Sequence, residues 1–551
     1  MTQALDVART RARVSELLAE HRIPGATIAV LRDGEITDFA TGVKDVSTGE
    51  PATTDTVYQC GSVSKTWTAL AFMRLVDEGK VALDEPVRTY LPGFRVADPD
   101  VSARVTPRHL LNHTSGIEES YGDPGEDDDV YERMVAGIAG ARQIHPLGHT
   151  HGYSAALGYA ILARVMEVVE GRRWDDIMRD RLFGPLGLTS TTTRREHVDP
   201  SRAATGHLVL SLDEGPVLSP LSHLPRAFGP GGNVNTTARD LLALAHVFLD
   251  EGKALDGIEI VSPGVVREMT GSRVPVPDPY MSGPEWALGL VVCDWHGQTV
   301  YAHDGSAVSQ SARLRILPEP GVAVALLTNA GPRDGFYREV FDEILSGLGT
   351  VTVPGLPEPD PALVLDLSRY EGVYRSPGTR FEVTAEHGTL HLKSTLNPME
   401  ARLLGKPEHL DHELLPISET HFLMPPAYPL EEPQTVAIYD FDDGAARYLH
   451  FNCRVNPRVD EEAATVHVMA VSGIRDHDGF WGALKQAYGR LPAGASWTMA
   501  VASADGTKAV NVIVHDSVEG VRSFFEEHMG PFATTDFFEA DAANAVGLPA
   551  A

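Results

Sequence analysis

Apolar and polar positions alternate through GATIAVLRDGEITDFATG (25–42), with a break at Asp33-Gly34. Period-two alternation about an Asp-Gly pair predicts a β-hairpin, because a type I′ turn needs positive φ at both central residues. Ahead of it, MTQALDVARTRARVSELLAEHRIPG reads as an amphipathic helix ending at Pro24-Gly25. Helical periodicity then dominates, over 62–79, 129–142, 154–170, 174–182 and 237–252. Near residue 300 the strand period returns in TVYAHDG, ARLRILPEPG and VAVALLTNAG. Strands at both ends of a segment, with helices between, predict one antiparallel sheet that carries a helical subdomain, an α+β unit over 1–350.

TVPGLPEPDPAL (352–363) holds four prolines and sustains neither a helix nor a central strand, so 351–367 reads as a linker. From YEGVYRSPGTRFEVTAEHGTLHLKSTL to YLHFNCRVNPRV, short alternating segments are broken by Gly, Pro and Asp. A small antiparallel β-barrel is predicted over 368–459. Past the acidic joint VDEEAA come a strand (TVHVMAVSGI), a helix (DGFWGALKQAYGRL) and a hairpin about Asp505-Gly506. A helix (SVEGVRSFFEEHMG, Ser517 in the capping position) and a strand (TDFFEAD) follow. That order predicts a ferredoxin-like α+β module over 460–551. It carries no catalytic constellation and is expected to pack or to pair two copies as a homodimer.

The length of 551 residues fits this plan at about 150 residues per domain. A net charge of −30 argues against nucleic acid or an anionic membrane as partner, since phosphate binding needs a basic face. The cysteines are Cys60, Cys293 and Cys453, too few and too far apart for a disulfide framework or a zinc spacing, so no metal or cofactor is expected. No run approaches about 18 apolar residues. The N-terminus lacks the apolar core of a signal peptide, so a cytoplasmic location and a small-molecule or peptide substrate are expected.

The candidate chemistry starts in QCGSVSKTWTALAFMRLVDEGK (59–80). A serine hydroxyl is a poor nucleophile until a base lies within hydrogen-bond reach. At i and i+3 on a helix, Ser62 and Lys65 share a face, so the amine reaches the hydroxyl. The helix N-terminus also favours negative charge developing beside Ser62.

TVYQCGSVSKTWTALAFMRLVDEGKVALDEPVRTYLPGF resembles the nucleophile segment of the serine β-lactamase and penicillin-binding-protein superfamily. The branch it is most similar to holds class C β-lactamases, DD-peptidases, family VIII esterases and D-aminopeptidases. VTPRHLLNHTSGI, GHTHGYSAALGYAILARVMEVVEG, GPGGNVNTTARDLLALAHVFL and YAHDGSAVSQSARLRILPEPGVAVALLTNAG resemble the segments that follow, in the family's order. The resemblance covers residues 1 to about 345 and implies a β-lactamase/transpeptidase-like fold. It implies that Ser62 forms an acyl-enzyme and that Lys65 and Tyr153 share the general-base work. The N–H groups of Ser62 and Ser306 would form the oxyanion hole. His303, Asp304 and Gly305 stand for the third motif; His303 would supply part of the positive charge Tyr153 needs, or steer a substrate carboxylate. In the superfamily's three-domain D-aminopeptidases a barrel leans over the active site, and the lipocalin-like barrel here would do the same by analogy.

The family's Tyr-x-Asn reads Tyr153-Ser154-Ala155 here. Asparagine offers an amide to the substrate carbonyl and to the nearby lysine; alanine offers neither, a loss of about 1–3 kcal/mol for a buried hydrogen bond. That weakens the case for β-lactam or D-Ala-D-Ala recognition and places Ala155 at the substrate. His151 stands where the family has an aromatic, and it, or else His149, is expected to line the pocket. His113 and Cys60 read as structural. The function expected is an intracellular serine hydrolase of an ester, or of an amide of a small or D-amino-acid-containing peptide. The alternative is an acyltransferase or peptide cyclase of a natural-product pathway on the same acyl-enzyme, distinguished by exclusion of water. A catalytically idle binding scaffold is the third reading.

Overall fold

The computed structural model describes residues 4–119, 124–221, 223–307, 309–331, 333–376, 379–395, 407, 409–459, 466–488, 491, 495–515 and 518–540. Gly25–Arg32 and Glu35–Gly42 form the expected hairpin, with Asp33 and Gly34 at φ 52° and 77° as a type I′ turn requires. The other edge of Gly25–Arg32 pairs antiparallel with Val322–Thr328, Ala29 opposite Ala325, so strands from the two chain ends lie side by side. The sheet continues through Gln310–Leu317, Gln298–Ala307 and Val291–Trp295 to two short strands. Its central strands are buried on both faces because helices cover both. Val7–Glu20 and Asp334–Gly347 pack together on one side, and Ala238–Leu249 packs on the other.

Helix Ser64–Asp77 is buried on nearly every side, with Trp67, Phe72 and Met73 at 0% exposure, as a helix apolar all round must be. Several expected helices are shorter than their periodicity. The 129–142 segment is α-helical over Val130–Gly137, 154–170 begins at Leu157, and 174–182 passes at Arg179 into a π-turn. Helices Pro263–Gly271 and Asp334–Gly347 were not expected from the pattern, although Phe336, Val340, Phe341 and Ile344 form an apolar stripe.

The strands from Gly372–Ser376 to Arg454–Val459 close into an eight-stranded antiparallel barrel. Tyr370, Tyr374, Phe422, Val436 and Leu449 are among the residues of its core. The barrel is fixed to the first region through buried polar contacts. Thr435 Oγ1 donates to the Asp278 carboxylate at 2.9 and 2.8 Å, and His421 Nε2 lies 2.8 Å from the Pro277 carbonyl.

Residues from Val459 onward form a second compact unit. In it Val466–Ile474, helix His477–Tyr488, Ser496–Ala502, Lys508–His515, helix Val518–Met529 and Ala533–Glu539 follow in turn. The sheet order is Ser496–Ala502, Lys508–His515, Val466–Ile474, Ala533–Glu539, every pair antiparallel. Ser517 and most of the acidic joint lie outside the described residues. Among the described residues, no helix is long and apolar enough to cross a membrane.

Candidate active site

Ser62 sits in the 3-10 turn Gly61–Val63 that leads into helix Ser64–Asp77. The turn can lie there because two glycines remove side chains from a backbone crossing. A Cβ on Gly305 would stand 2.0 Å from the Cys60 carbonyl oxygen and 2.9 Å from the Ser62 nitrogen. A Cβ on Gly61, at φ +51°, would stand 2.5 Å from the Ser306 nitrogen. Strand Gln298–Ala307 pairs with Val291–Trp295 only up to Ala302; from His303 to Ala307 one side of the strand is free to meet this turn. Ser62 and Ser306 thus border the same cavity, with their backbones in contact.

One turn further on, the Lys65 amine is fully buried. It lies 2.7 Å from the Ala155 carbonyl, 2.9 Å from the Gly231 carbonyl and 3.4 Å from Ser62 Oγ. No carboxylate among the described residues pairs with it. Burial pulls its pKa down to about 7, Glu119 opposes that, and Arg454 adds to it. A neutral amine has two N–H donors and a lone pair. With the two donors on the two carbonyls, the lone pair is left for the Ser62 hydroxyl.

Here Ala155 departs from the sequence expectation. Alanine lacks the family's side-chain amide, yet residue 155 still serves the lysine through its own carbonyl.

The Tyr153 phenol is hydrogen-bonded with Ser62, and its ring centroid lies 4.8 Å from Lys65 Nζ. Burial pushes this phenol well above its ordinary pKa, only partly offset by the Ser62 hydrogen bond. It therefore faces the cavity in its protonated form. The rings of His113, at 4.5 Å, and Trp286, at 5.4 Å, hold it in place. His113 Nδ1 also accepts from the Ser154 N–H at 3.1 Å, the structural role expected of it.

His303 does not supply positive charge. Burial, and then the nearby Lys65, bring it down to about 4, and its Nδ1 lies 2.9 Å from the Asp304 carbonyl. Asp304 lines the cavity but is engaged by Arg315 at 2.5 Å; burial would raise it, and Arg313 and Arg315 outweigh that and hold it at about 2. Gly305 serves by its lack of a side chain. His151 does not line the cavity: it is fully buried and stacked on Trp286 at 4.9 Å. His149 is drawn away to Asp440 on the barrel at 2.9 Å. Cys60 is a buried thiol that desolvation pushes up to about 12, a bystander to Ser62.

Two side chains at the site were not read from the sequence. The barrel hairpin tip Asn452-Cys453, at φ 48° and 62°, reaches the active site, and the Cys453 carbonyl accepts the Tyr153 N–H at 2.8 Å. Positive φ suits asparagine but strains cysteine, a cost of about 1–3 kcal/mol, so the tip is held by its contacts. The next residue, Arg454, is exposed in the cavity wall; its guanidinium has no hydrogen bond or ion pair among the described residues. Glu119 is the other. The cavity, of about 620 Å³, runs from Ser62 and His303 past Arg454 to Phe451 and Asn456 of the barrel.

A family model described as Beta-lactamase matches residues 10–348. "Penicillin-binding protein 4" of Amycolatopsis lactamdurans is 39% identical over 380 residues, covering 68% of this chain and 98% of that protein. The crystal structure of SurE with D-Leu matches with a TM-score of 0.65 at 27% identity, covering 82% of this chain and 99% of that one. A D-stereospecific amidohydrolase from Streptomyces sp. matches with a TM-score of 0.50 at 25% identity, covering 61% and 99%.

The rate of Ser62 acylation is expected to rise with pH through about 7 and then level, because the neutral amine accumulates as pH passes the lysine pKa. Stopped-flow with a p-nitrophenyl ester measures it; a limb centred near 10 would mean the lysine is not desolvated. Gly305→Ala is expected to lower Tm and to slow acylation by about 100-fold, since displacing a reacting group by about 1 Å costs that much. Wild-type acylation in that variant would contradict the close backbone approach.

Proposed function

This chain belongs to the beta-lactamase family, whose members are serine hydrolases, and we propose that it works through an acyl-enzyme on Ser62. The observation that carries this reading is the buried Lys65 amine, held by two carbonyls 3.4 Å from Ser62 Oγ. Lys65 takes the hydroxyl proton as Ser62 attacks the substrate carbonyl. The Ser62 and Ser306 N–H groups receive the oxyanion. Tyr153 gives its proton to the leaving atom as the carbonyl–heteroatom bond breaks. Proton transfer from the Lys65 ammonium to the Tyr153 phenolate restores both groups. Water attacking the acyl-enzyme by the reverse path completes hydrolysis.

Tyr153 lies against the Cys453-Arg454 tip, so the leaving group departs toward the barrel. A guanidinium with no partner among the described residues fits a carboxylate there, bound through charge-assisted hydrogen bonds. The substrate we propose is an ester or peptide amide whose leaving part ends in a carboxylate. Similarity to a structure solved with D-Leu and to a D-stereospecific amidohydrolase supports a D-amino acid there. The same geometry favours a second reading: a site that expels a carboxylate-bearing amine also admits one. Acyl transfer or cyclisation would follow when that amine outcompetes water. The C-terminal unit is read as a ferredoxin-like module.

Intact-mass analysis after a fluorophosphonate is expected to show one adduct on the wild type and none on Ser62→Ala. Ester turnover in S62A is expected to fall by about 10³-fold or more. An unlabelled wild type, or equal turnover in S62A, would remove the acyl-enzyme. Arg454→Ala is expected to lower kcat/KM about 10–100-fold for a peptide substrate with a free terminal carboxylate, and far less for its methyl ester. Equal losses on both would count against a carboxylate at Arg454.

A further inference from the structure

Helix Leu157–Glu170 begins immediately after Tyr153-Ser154-Ala155, and its capping residue, Ala156, has no side chain to accept the free N–H groups of the first turn. The acceptor comes from another segment. Glu119 Oε1 accepts from the Ala156 N–H at 3.0 Å, the Leu157 N–H at 3.3 Å and the Ser154 hydroxyl at 2.6 Å. Ser154 Oγ in turn accepts from the Gly158 N–H at 2.9 Å. One carboxylate therefore holds the residues on both sides of Ala155, at a helix end that favours negative charge. Ala155 is left with a single orientation, its carbonyl 2.7 Å from Lys65 Nζ.

We propose that Glu119 is a positioning residue for acyl transfer, fixing the Ala155 carbonyl on the Lys65 amine where the family uses an asparagine side chain. The proposal rests on Ser62 as nucleophile and Lys65 as its base. Glu119 acts on Lys65 in two ways that separate experimentally. Its hydrogen bonds set where the amine sits, and its charge opposes the burial that neutralises the amine. The other groups facing Lys65 are Arg454, which lowers it further, and His113, His303, Tyr153 and Tyr159. Burial lowers both histidines, leaving them neutral near pH 7, and keeps both phenols protonated.

Glu119→Gln keeps an oxygen acceptor and removes the charge; Glu119→Ala removes both. With a p-nitrophenyl ester, E119A is expected to lose about tenfold or more in plateau kcat at nearly unchanged KM, since a misplaced base mainly slows chemistry. E119Q is expected to recover most of that plateau, with its acid limb displaced to lower pH than the wild type. An E119A plateau within twofold of wild type, or an E119Q limb superimposed on the wild type, overturns the proposal. So does a loss in both variants that simply tracks their melting temperatures. If E119A does not fold, the E119Q limb decides. A wild type that gives no Ser62 adduct overturns the acyl-enzyme reading instead, so the two failures are distinguishable.

Discussion

A lysine amine gives up its water shell inside this fold and receives, among the described residues, no carboxylate in exchange. Removing an ammonium from water without a partner costs several kcal/mol, and burial accordingly pulls the amine's pKa down to about 7. In its neutral form the amine has two donors that need acceptors. The Ala155 and Gly231 carbonyls are those acceptors, and they come from two different helical segments packed on helix Ser64–Asp77. In the mechanism we propose, Ser62 gains its base through this arrangement, because the lone pair of the neutral amine is the one hydrogen-bonding position the two carbonyls leave unfilled.

Much of the surrounding architecture serves to keep that pocket dry and oriented. The Trp286 and His113 rings back the Tyr153 ring and His151 stacks behind Trp286, with the histidines desolvated to neutrality. Arg454 arrives from the barrel on a strained hairpin tip that bonds to the Tyr153 backbone. Glu119 approaches from the opposite sign, holding the start of helix Leu157–Glu170. A positive and a negative group thus act on the amine in opposite directions, Arg454 lowering its pKa and Glu119 raising it. The barrel supplies the positive one and part of the cavity wall, so it is part of the site as well as a neighbour of it.

The sequence pattern located Ser62, Lys65, Tyr153, His303 and Ser306, which the fold does bring together. Helical spacing puts Ser62 and Lys65 on one face, a weak signal by itself; the resemblance of the segments, in order, to one family picks out all five. Arg454 and Glu119 carry no such local signal. Asn452-Cys453 between two alternating runs does mark a hairpin tip, but nothing near it says what the tip touches. Glu119 acts as a cap for a helix that starts well downstream, so no capping motif in sequence could show it. His151 was misplaced because its position in the chain suggested the pocket, whereas Trp286 covers it. The helix at Asp334–Gly347 has regular apolar spacing but follows closely on strand Val322–Thr328, so the change of period falls within a short stretch of chain.

The charge state of Lys65 is where the account is most exposed. A ¹³C NMR titration of the lysine Cε resonances, with Lys65→Arg to assign the signal, reads it directly. The account expects one resonance to titrate near pH 7, well below the ordinary lysine range. A Lys65 signal that stays protonated to pH 10 would mean that the amine is a cation at rest, and the base proposed for Ser62 would be lost.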